Sequence, residues 1–300
     1  MSTKIYFSDA DELIDIRYDN VFKAVFTKET PQSKGALSKL VSALIGRDVS
    51  IITITANEPP IDSLQDRRLR FDINCRAEND ERVNVEMSFY PTPFEPVRLE
   101  YHTGKLFIGQ NISGIEKTYN DLKKTYQITI LARDKIFPDD TFFHGFEYYD
   151  PINRVSLNGR TRIITLELAK VEKFADKPAE EMSFPEQWAF FFEYLTDRSK
   201  RSKINEILKQ EEGIAMASEV LMTITKDDIE QARILSELKY ELDTKSRFIH
   251  AVSEAKREGR EEGIRQGKQE VLELLELLKS GKTPEEIIRD YNSSGAQIRP

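Results

Sequence analysis

The chain has 300 residues, 39% of them hydrophobic, which is enough to bury the core of one large domain or of a core with appendages. Its 44 Lys and Arg against 52 Asp and Glu leave a net charge of −8, which disfavours tight non-specific attachment to nucleic acid without excluding an enzyme that acts on it. A single cysteine, Cys75, excludes an intramolecular disulfide and a cysteine-built zinc site.

In chain order, residues 18–28 predict a helix. Residues 34–45 predict a second, with Leu37, Leu40, Val41, Leu44 and Ile45 on one face and Gly46 as its stop. SIITITA at 50–56 reads as a strand, followed by a loop at Pro59-Pro60. A hairpin is expected over 68–76 and 82–89, after which Pro91, Pro93 and Pro96 break the chain before a helix near 97–112. YQITIL at 126–131 is a further strand, and 142–149 and 161–171 are two more strand-like runs. After Pro185 the pattern is helical to about Tyr291. This order predicts a mixed sheet with helices packed on it, then an α-helical C-terminal region.

The hairpin carries most of the functional signal. RFDINC at 70–75 and VNVEMS at 83–88 alternate as strands, separated by the polar tip Ala77-Glu78-Asn79-Asp80-Glu81. A loop centred on Asn79 puts Asp72 opposite Glu86 on one face of the ladder. Two opposed carboxylates repel unless a proton or a cation lies between them. A hard divalent ion, Mg²⁺ or Mn²⁺, held by one or two carboxylates with water or phosphate oxygens, resolves that repulsion. The expectation is a metal-dependent phosphodiesterase.

The ordered set of elements resembles the PD-(D/E)XK nuclease superfamily, in which Asp, a hairpin and then Glu-x-Lys form the core. It is most similar to the recombination-promoting nuclease or putative transposase branch. YDNVFKAVF at 18–26 is similar to that branch's opening helix, and the segment through Arg98, Tyr101, Lys105 and Leu106 is similar to its later helix. The resemblance covers roughly residues 14–210 and implies a restriction-endonuclease-like α/β core: a mixed sheet flanked by helices, with a mostly helical C-terminal region and tail. It also implies DNA as substrate, recombination or transposition as the process, Asp72 and Glu86 as metal ligands and Asp19 as a third acid. Arg98 and His102 become candidate substrate contacts.

One position departs from the pattern. Where the superfamily has Lys and this branch commonly Gln, the chain has Ser88, whose hydroxyl can orient a water but carries no charge. Three readings stay open: Ser88 positions water in a slow enzyme, Lys105 or Arg98 replaces the missing cation, or the site has decayed into a nucleic-acid- or protein-binding module. Asp19 is likewise open between metal ligand and cap of the helix that carries Phe22, Val25 and Phe26.

The remaining features are read more plainly. Trp188, Phe191, Phe192 and Leu195 form one apolar helix face, which is core packing. YNDLKKTY at 119–126 suits an exposed turn before a buried strand as well as a phosphate contact. His102, His144 and His250 show no metal-ligand spacing. From Ala251 small residues recur at Ala255, Gly259, Gly263 and Gly267, and VLELLELLKSG follows, so the tail is either a solvated linker helix or a self-association stalk. Thr283-x-x-Glu286 has the form of a capped terminal helix. The expected organisation is a nuclease core over 1–180, a helical extension over 181–245 and a charged, glycine-containing helical tail over 246–300. No stretch reaches the ~18 apolar residues of a membrane span and no secretory leader pattern opens the chain, so a cytoplasmic protein without a membrane partner is expected.

Overall fold

The computed structural model describes residues 6–55, 72–110, 112, 114–157, 159–226 and 228–293. The expected Pro59-Pro60 loop and the start of the first hairpin strand, through Phe71, lie outside them. Two compact units are present, Met1–Leu238 and Lys239–Pro300.

The first unit opens with α1 (Asp19–Thr27), whose buried Val21, Phe22, Val25 and Phe26 recur at helical spacing. In α2 (Pro31–Ile45), Thr30 accepts a hydrogen bond from the Ser33 amide, Pro31 begins the first turn and Gly46 ends the helix at φ +84°. Only a residue without Cβ adopts that left-handed cap cheaply. The strands β1 (Ile51–Ile54), β2 (Ile73–Ala77) and β3 (Arg82–Ser88) follow. Between β2 and β3 the tip turns through Asn79 and Asp80, both at φ +61°, a region that Asn and Asp tolerate.

Beyond β3 lie α3 (Glu95–Ile108), β4 (Thr125–Leu131) and β5 (Phe143–Phe146). A small ribbon of β6 (Tyr149–Asp150) and β7 (Val155–Ser156) precedes β8 (Thr161–Glu167). The expected strand at 161–171 stops at Glu167, and residues Leu168–Phe174 continue as 3₁₀ turns. The helices α4 (Phe184–Tyr194), α5 (Arg201–Gln210) and α6 (Glu212–Lys226) complete the packing.

The six-stranded sheet has the order β1-β2-β3-β4-β8-β5. The pairs β1–β2 and β2–β3 are antiparallel, β3–β4 and β4–β8 parallel, and β5 runs antiparallel to β8. Its two faces differ in kind. Val83, Val85 and Met87 share one face in register with Tyr126, Ile128 and Ile130, and then with Ile164 and Leu166. The other face presents Asn84 and Glu86, Gln127 and Thr129, then Thr165 and Glu167. All six of these polar residues are buried, five of them completely. α3 lies against β3, β4 and β8, and its Arg98 and His102 reach Glu86 on this polar face.

The aromatic segment of α4 is core, as its spacing predicts. Trp188, Phe190, Phe191 and Phe192 are fully buried. Phe26 of α1 meets the Trp188 ring at 6.1 Å and Phe22 meets Phe192 at 6.0 Å, which ties α1 to α4. The turn at Tyr119–Asp121 is exposed and capped by Thr118, and Tyr126 after it is buried.

The second unit holds the C-terminal part of α7 (Asp228–Lys279) and α8 (Pro284–Ser293). The side chains of Ala251 and Ala255 lie outside the described residues. Among the described residues, a methyl group added at Gly259, Gly263 or Gly267 would meet nothing within 4 Å. The Thr283 hydroxyl accepts from the Glu286 amide and the Glu286 carboxylate accepts from the Thr283 amide, giving the expected capping box. Among the described residues no helix is long and apolar enough to cross a membrane.

The α1–α4 aromatic contact makes a prediction. Trp188→Ala should lower stability by ~3–5 kcal/mol, the cost of emptying a large buried aromatic site, read from the midpoint of chemical denaturation. A loss below ~1 kcal/mol would show that α4 is not part of the core.

Candidate active site

Asp72 stands just before β2, one step beyond the last ladder pair, Ile73 with Val85, and so across from Glu86. Its carboxylate is held at both oxygens. Oδ2 accepts a hydrogen bond from the Met87 amide at 3.1 Å, and Oδ1 lies 3.0 Å from Lys23 Nζ. The same Lys23 Nζ lies 2.7 Å from Asp19 Oδ2, so one ammonium from α1 bridges two carboxylates. Asp19 occupies the first helical position of α1, but its side chain turns to Lys23 rather than capping the helix, and the helix has no side-chain cap. Asp19 Oδ1 is buried without a hydrogen-bond partner among the described residues.

Glu86 is the more deeply buried acid, with its side chain 2% exposed. Oε1 meets His102 Nδ1 at 2.7 Å and accepts from Asn84 Nδ2 at 2.8 Å. Oε2 faces Arg98 Nη1 at 3.1 Å. The network runs on across the polar face: Asn84 Nδ2 also donates to Gln127 Oε1 at 2.9 Å, and Gln127 Nε2 to Thr129 Oγ1 at 3.0 Å. Arg98 is anchored a second time by the buried Glu95.

These environments drive the two carboxyls apart. Burial opposes the charge on Glu86, but His102, Arg98 and Asn84 outweigh it and hold the group below the usual carboxylate range. Burial, with Asp19 and Glu86 nearby, pushes Asp72 up to about 7 despite Lys23. Burial opposes the charge on Lys23 too, yet Asp72 and Asp19 more than offset it and raise the ammonium above its ordinary value.

The remaining candidates lie around this centre. Ser88 is half-buried at the end of β3, two residues along from Glu86 on the same face, and its carbonyl accepts from the Ala132 amide at 2.9 Å. Lys105 does not touch the carboxylates, and its ammonium sits 5.9 Å from the centre of the Tyr101 ring. His102 is buried beside Glu86 rather than open to the surface. Sequence reasoning singled out Asp19, Asp72, Glu86, Arg98 and His102, and these five come together. It passed over Lys23, Asn84, Glu95 and Gln127. A signal for Lys23 was present, since Asp19 and Lys23 have the i,i+4 spacing of a helical ion pair.

Among the described residues, no three His, Cys, Asp or Glu side chains are arranged as a ready-made metal cage. The donors nonetheless suit a hard divalent ion that needs one or two carboxylates and completes its shell with water or phosphate. Asp19, Asp72 and Glu86 offer only oxygen, Asp19 Oδ1 lacks a hydrogen-bond partner among the described residues, and Asp72 is raised first by burial and then by Asp19 and Glu86, a cost of charge that a cation would relieve. Hydrogen bonds from the Met87 amide to Asp72 and from Asn84 to Glu86 fix the orientation of each acid from behind, as supporting residues do around bound metals.

A mixed sheet flanked by helices, with paired acids where a β-hairpin meets the first helix, defines the class of PD-(D/E)XK-type proteins. The model of the family described as PD-(D/E)XK nuclease family transposase matches residues 16–251, and the chain belongs to that family. Its role is therefore of the nuclease and transposase type. Neither comparison with curated proteins nor comparison with solved structures finds a match.

The displaced ionisation of Asp72 has a consequence for stability. An unfolded aspartate loses its proton near pH ~3.9. The folded Asp72 keeps its proton to about pH 7, so its contribution to stability falls as pH rises through that window and is level above it. Asp72→Asn removes the ionisation. In chelator, the variant should match the wild type near pH 4 and exceed it at pH 8 by on the order of a few kcal/mol. Thermal melts at both pH values measure this, and an equal gap at the two would contradict the assignment.

Proposed function

We propose that this protein is a metal-dependent endonuclease that hydrolyses DNA phosphodiester bonds, in the service of recombination or transposition. The observation that carries the reading is the placement of Asp72 across the ladder from Glu86, on the polar face of the sheet, in a chain of this family. Asp72 and Glu86, with Asp19 beside them, would hold Mg²⁺ or Mn²⁺. When bound, the ion supplies positive charge to the phosphate and lowers the pKa of water toward neutrality.

The chain's own groups do the rest. Arg98, His102 and Asn84 keep Glu86 ionised and fixed in orientation. The Met87 amide pins one oxygen of Asp72 and leaves the other to a cation. Ser88, on the face of Glu86, orients the attacking water through its hydroxyl. Arg98, with a side chain 39% exposed, extends from Glu86 toward the surface and meets the DNA backbone there, and Lys105 on the same helix adds a second phosphate contact.

Purified protein with Mg²⁺ or Mn²⁺ should cut supercoiled DNA. Asp72→Ala and Glu86→Ala should each reduce cleavage by at least ~10²-fold, the scale of losing one group that stabilises the reaction's charge. Full cleavage by either variant, with folding confirmed by circular dichroism, would sink the assignment. A non-catalytic binding module has one observation in its favour: Lys23 already stands on Asp72, and Arg98 and His102 on Glu86. That reading predicts no divalent binding by calorimetry and no cleavage.

The tail adds a proposed homotypic contact. Val271, Leu272, Leu275 and Leu278 of α7 are each between 44% and 62% exposed, more apolar surface than a solvated helix needs. The double variant Leu272→Lys, Leu275→Lys should have a lower mass by light scattering than the wild type. An unchanged mass would assign the segment to a linker.

A further inference from the structure

The positive charge that the superfamily draws from its strand lysine has no source on this strand, because Ser88 is neutral. Among the described cations near the carboxylates, Arg98 is engaged by both Glu86 and Glu95, and the Lys105 ammonium lies over Tyr101. Lys23 differs from both. Its ammonium sits between Asp19 and Asp72, at 2.7 and 3.0 Å, in the place that a cation shared by these two acids would take. It comes from α1, whose buried face is fixed against α4 by Phe22 and Phe26, so its backbone position is set by the core. Its side chain is 29% exposed and ends a flexible stem, so the ammonium can swing while the helix stays in place.

We propose that Lys23 is the working cation of this site: it bridges Asp19 and Asp72 in the metal-free protein, yields that place when a divalent ion loads, and then gives the scissile phosphate the positive charge that Ser88 cannot. The inference rests on the nuclease reading above and names a residue that it leaves unassigned. An ammonium and a divalent ion cannot both occupy the space between two carboxylates, so loading is a competition and the apparent metal affinity is lowered by the fraction of molecules in which the bridge is closed. Once displaced, the ammonium remains tethered by its own stem to α1, on the side from which that helix approaches the hairpin and Asp72. A lysine there acts as a point charge and needs no strand position to reach a phosphate oxygen.

The test measures metal affinity and turnover separately in wild type, Lys23→Met and Lys23→Arg. Mn²⁺ binding is followed by calorimetry, and single-turnover cleavage of supercoiled DNA is followed at saturating Mn²⁺. Lys23→Met should bind Mn²⁺ at least ~10-fold more tightly. It should cleave at least ~10²-fold more slowly at saturation. Lys23→Arg keeps the charge and should recover part of the rate while binding metal as weakly as the wild type. A merely structural lysine would lower both quantities in the methionine variant, and a mere competitor would tighten binding without slowing cleavage; either result overturns the proposal. Unchanged metal affinity in Lys23→Met overturns it as well. A wild type that neither binds Mn²⁺ nor cuts DNA would overturn the nuclease reading itself, a failure distinguishable from that of Lys23 alone.

Discussion

The structure turns on one electrostatic requirement: the Glu86 carboxylate is almost completely buried and must still be compensated. Removing an ion from water into a protein interior costs several kcal/mol even after relaxation. The compensation comes from α3, through Arg98 at 3.1 Å and His102 at 2.7 Å, and from Asn84 on the same strand. This constraint fixes more than one residue. It sets the rotation of α3 about its axis, because Arg98 and His102, four residues apart, must both face the sheet. It also accounts for the polar face beneath α3, where Asn84 donates across to Gln127 on β4 and Gln127 donates to Thr129 on the same strand, so that these amide nitrogens find acceptors where water is excluded.

Against Glu86, Asp72 shows what happens when the same face offers less compensation. Burial raises it first, two other acids lie near, and one backbone amide and one shared ammonium are its compensation, so its proton is held to about pH 7. One carboxyl is held ionised and the other is poised, and that separation is the usual sign of divided labour between acids in one site. It arises from position. Glu86 lies within β3, under α3, whereas Asp72 lies just before β2, where α1 approaches and brings Lys23 to it.

What the sequence revealed follows the range over which each signal acts. The register of Asp72 with Glu86 was legible because period-two alternation and a five-residue polar tip determine it locally. The core role of Trp188, Phe191 and Phe192 was legible because helical spacing groups them on one face. The pairing of Lys23 with Asp19 was open to local reading, but its reach to Asp72 was not, since the approach of α1 to the hairpin depends on packing of Phe22 and Phe26 against a helix some 160 residues later, which no local pattern encodes. The polar face was missed for a related reason. YQITIL reads as an ordinary alternating strand, and only its place in the middle of the sheet makes Gln127 and Thr129 fully buried. Asp19 shows the limit of local reasoning: its preference for a cap is real, but an ion pair one turn along the helix prevails over it.

The same balance of charge bears on the departure at position 88. Around the hairpin mouth Asp19, Asp72, Glu86 and Glu95 stand against Lys23, Arg98 and a histidine that shares the Glu86 oxygen. Cations already arrive from two helices, one on each acid of the pair. A lysine at 88 would project on the face of Glu86, which Arg98 and His102 already face, and its charge would compete with them for that acid. A small hydroxyl there adds no charge. On this view Ser88 is the counterpart of Lys23: with the positive charge moved from strand to helix, the strand position is released to a residue that can hydrogen-bond a water and does not compete for the acids.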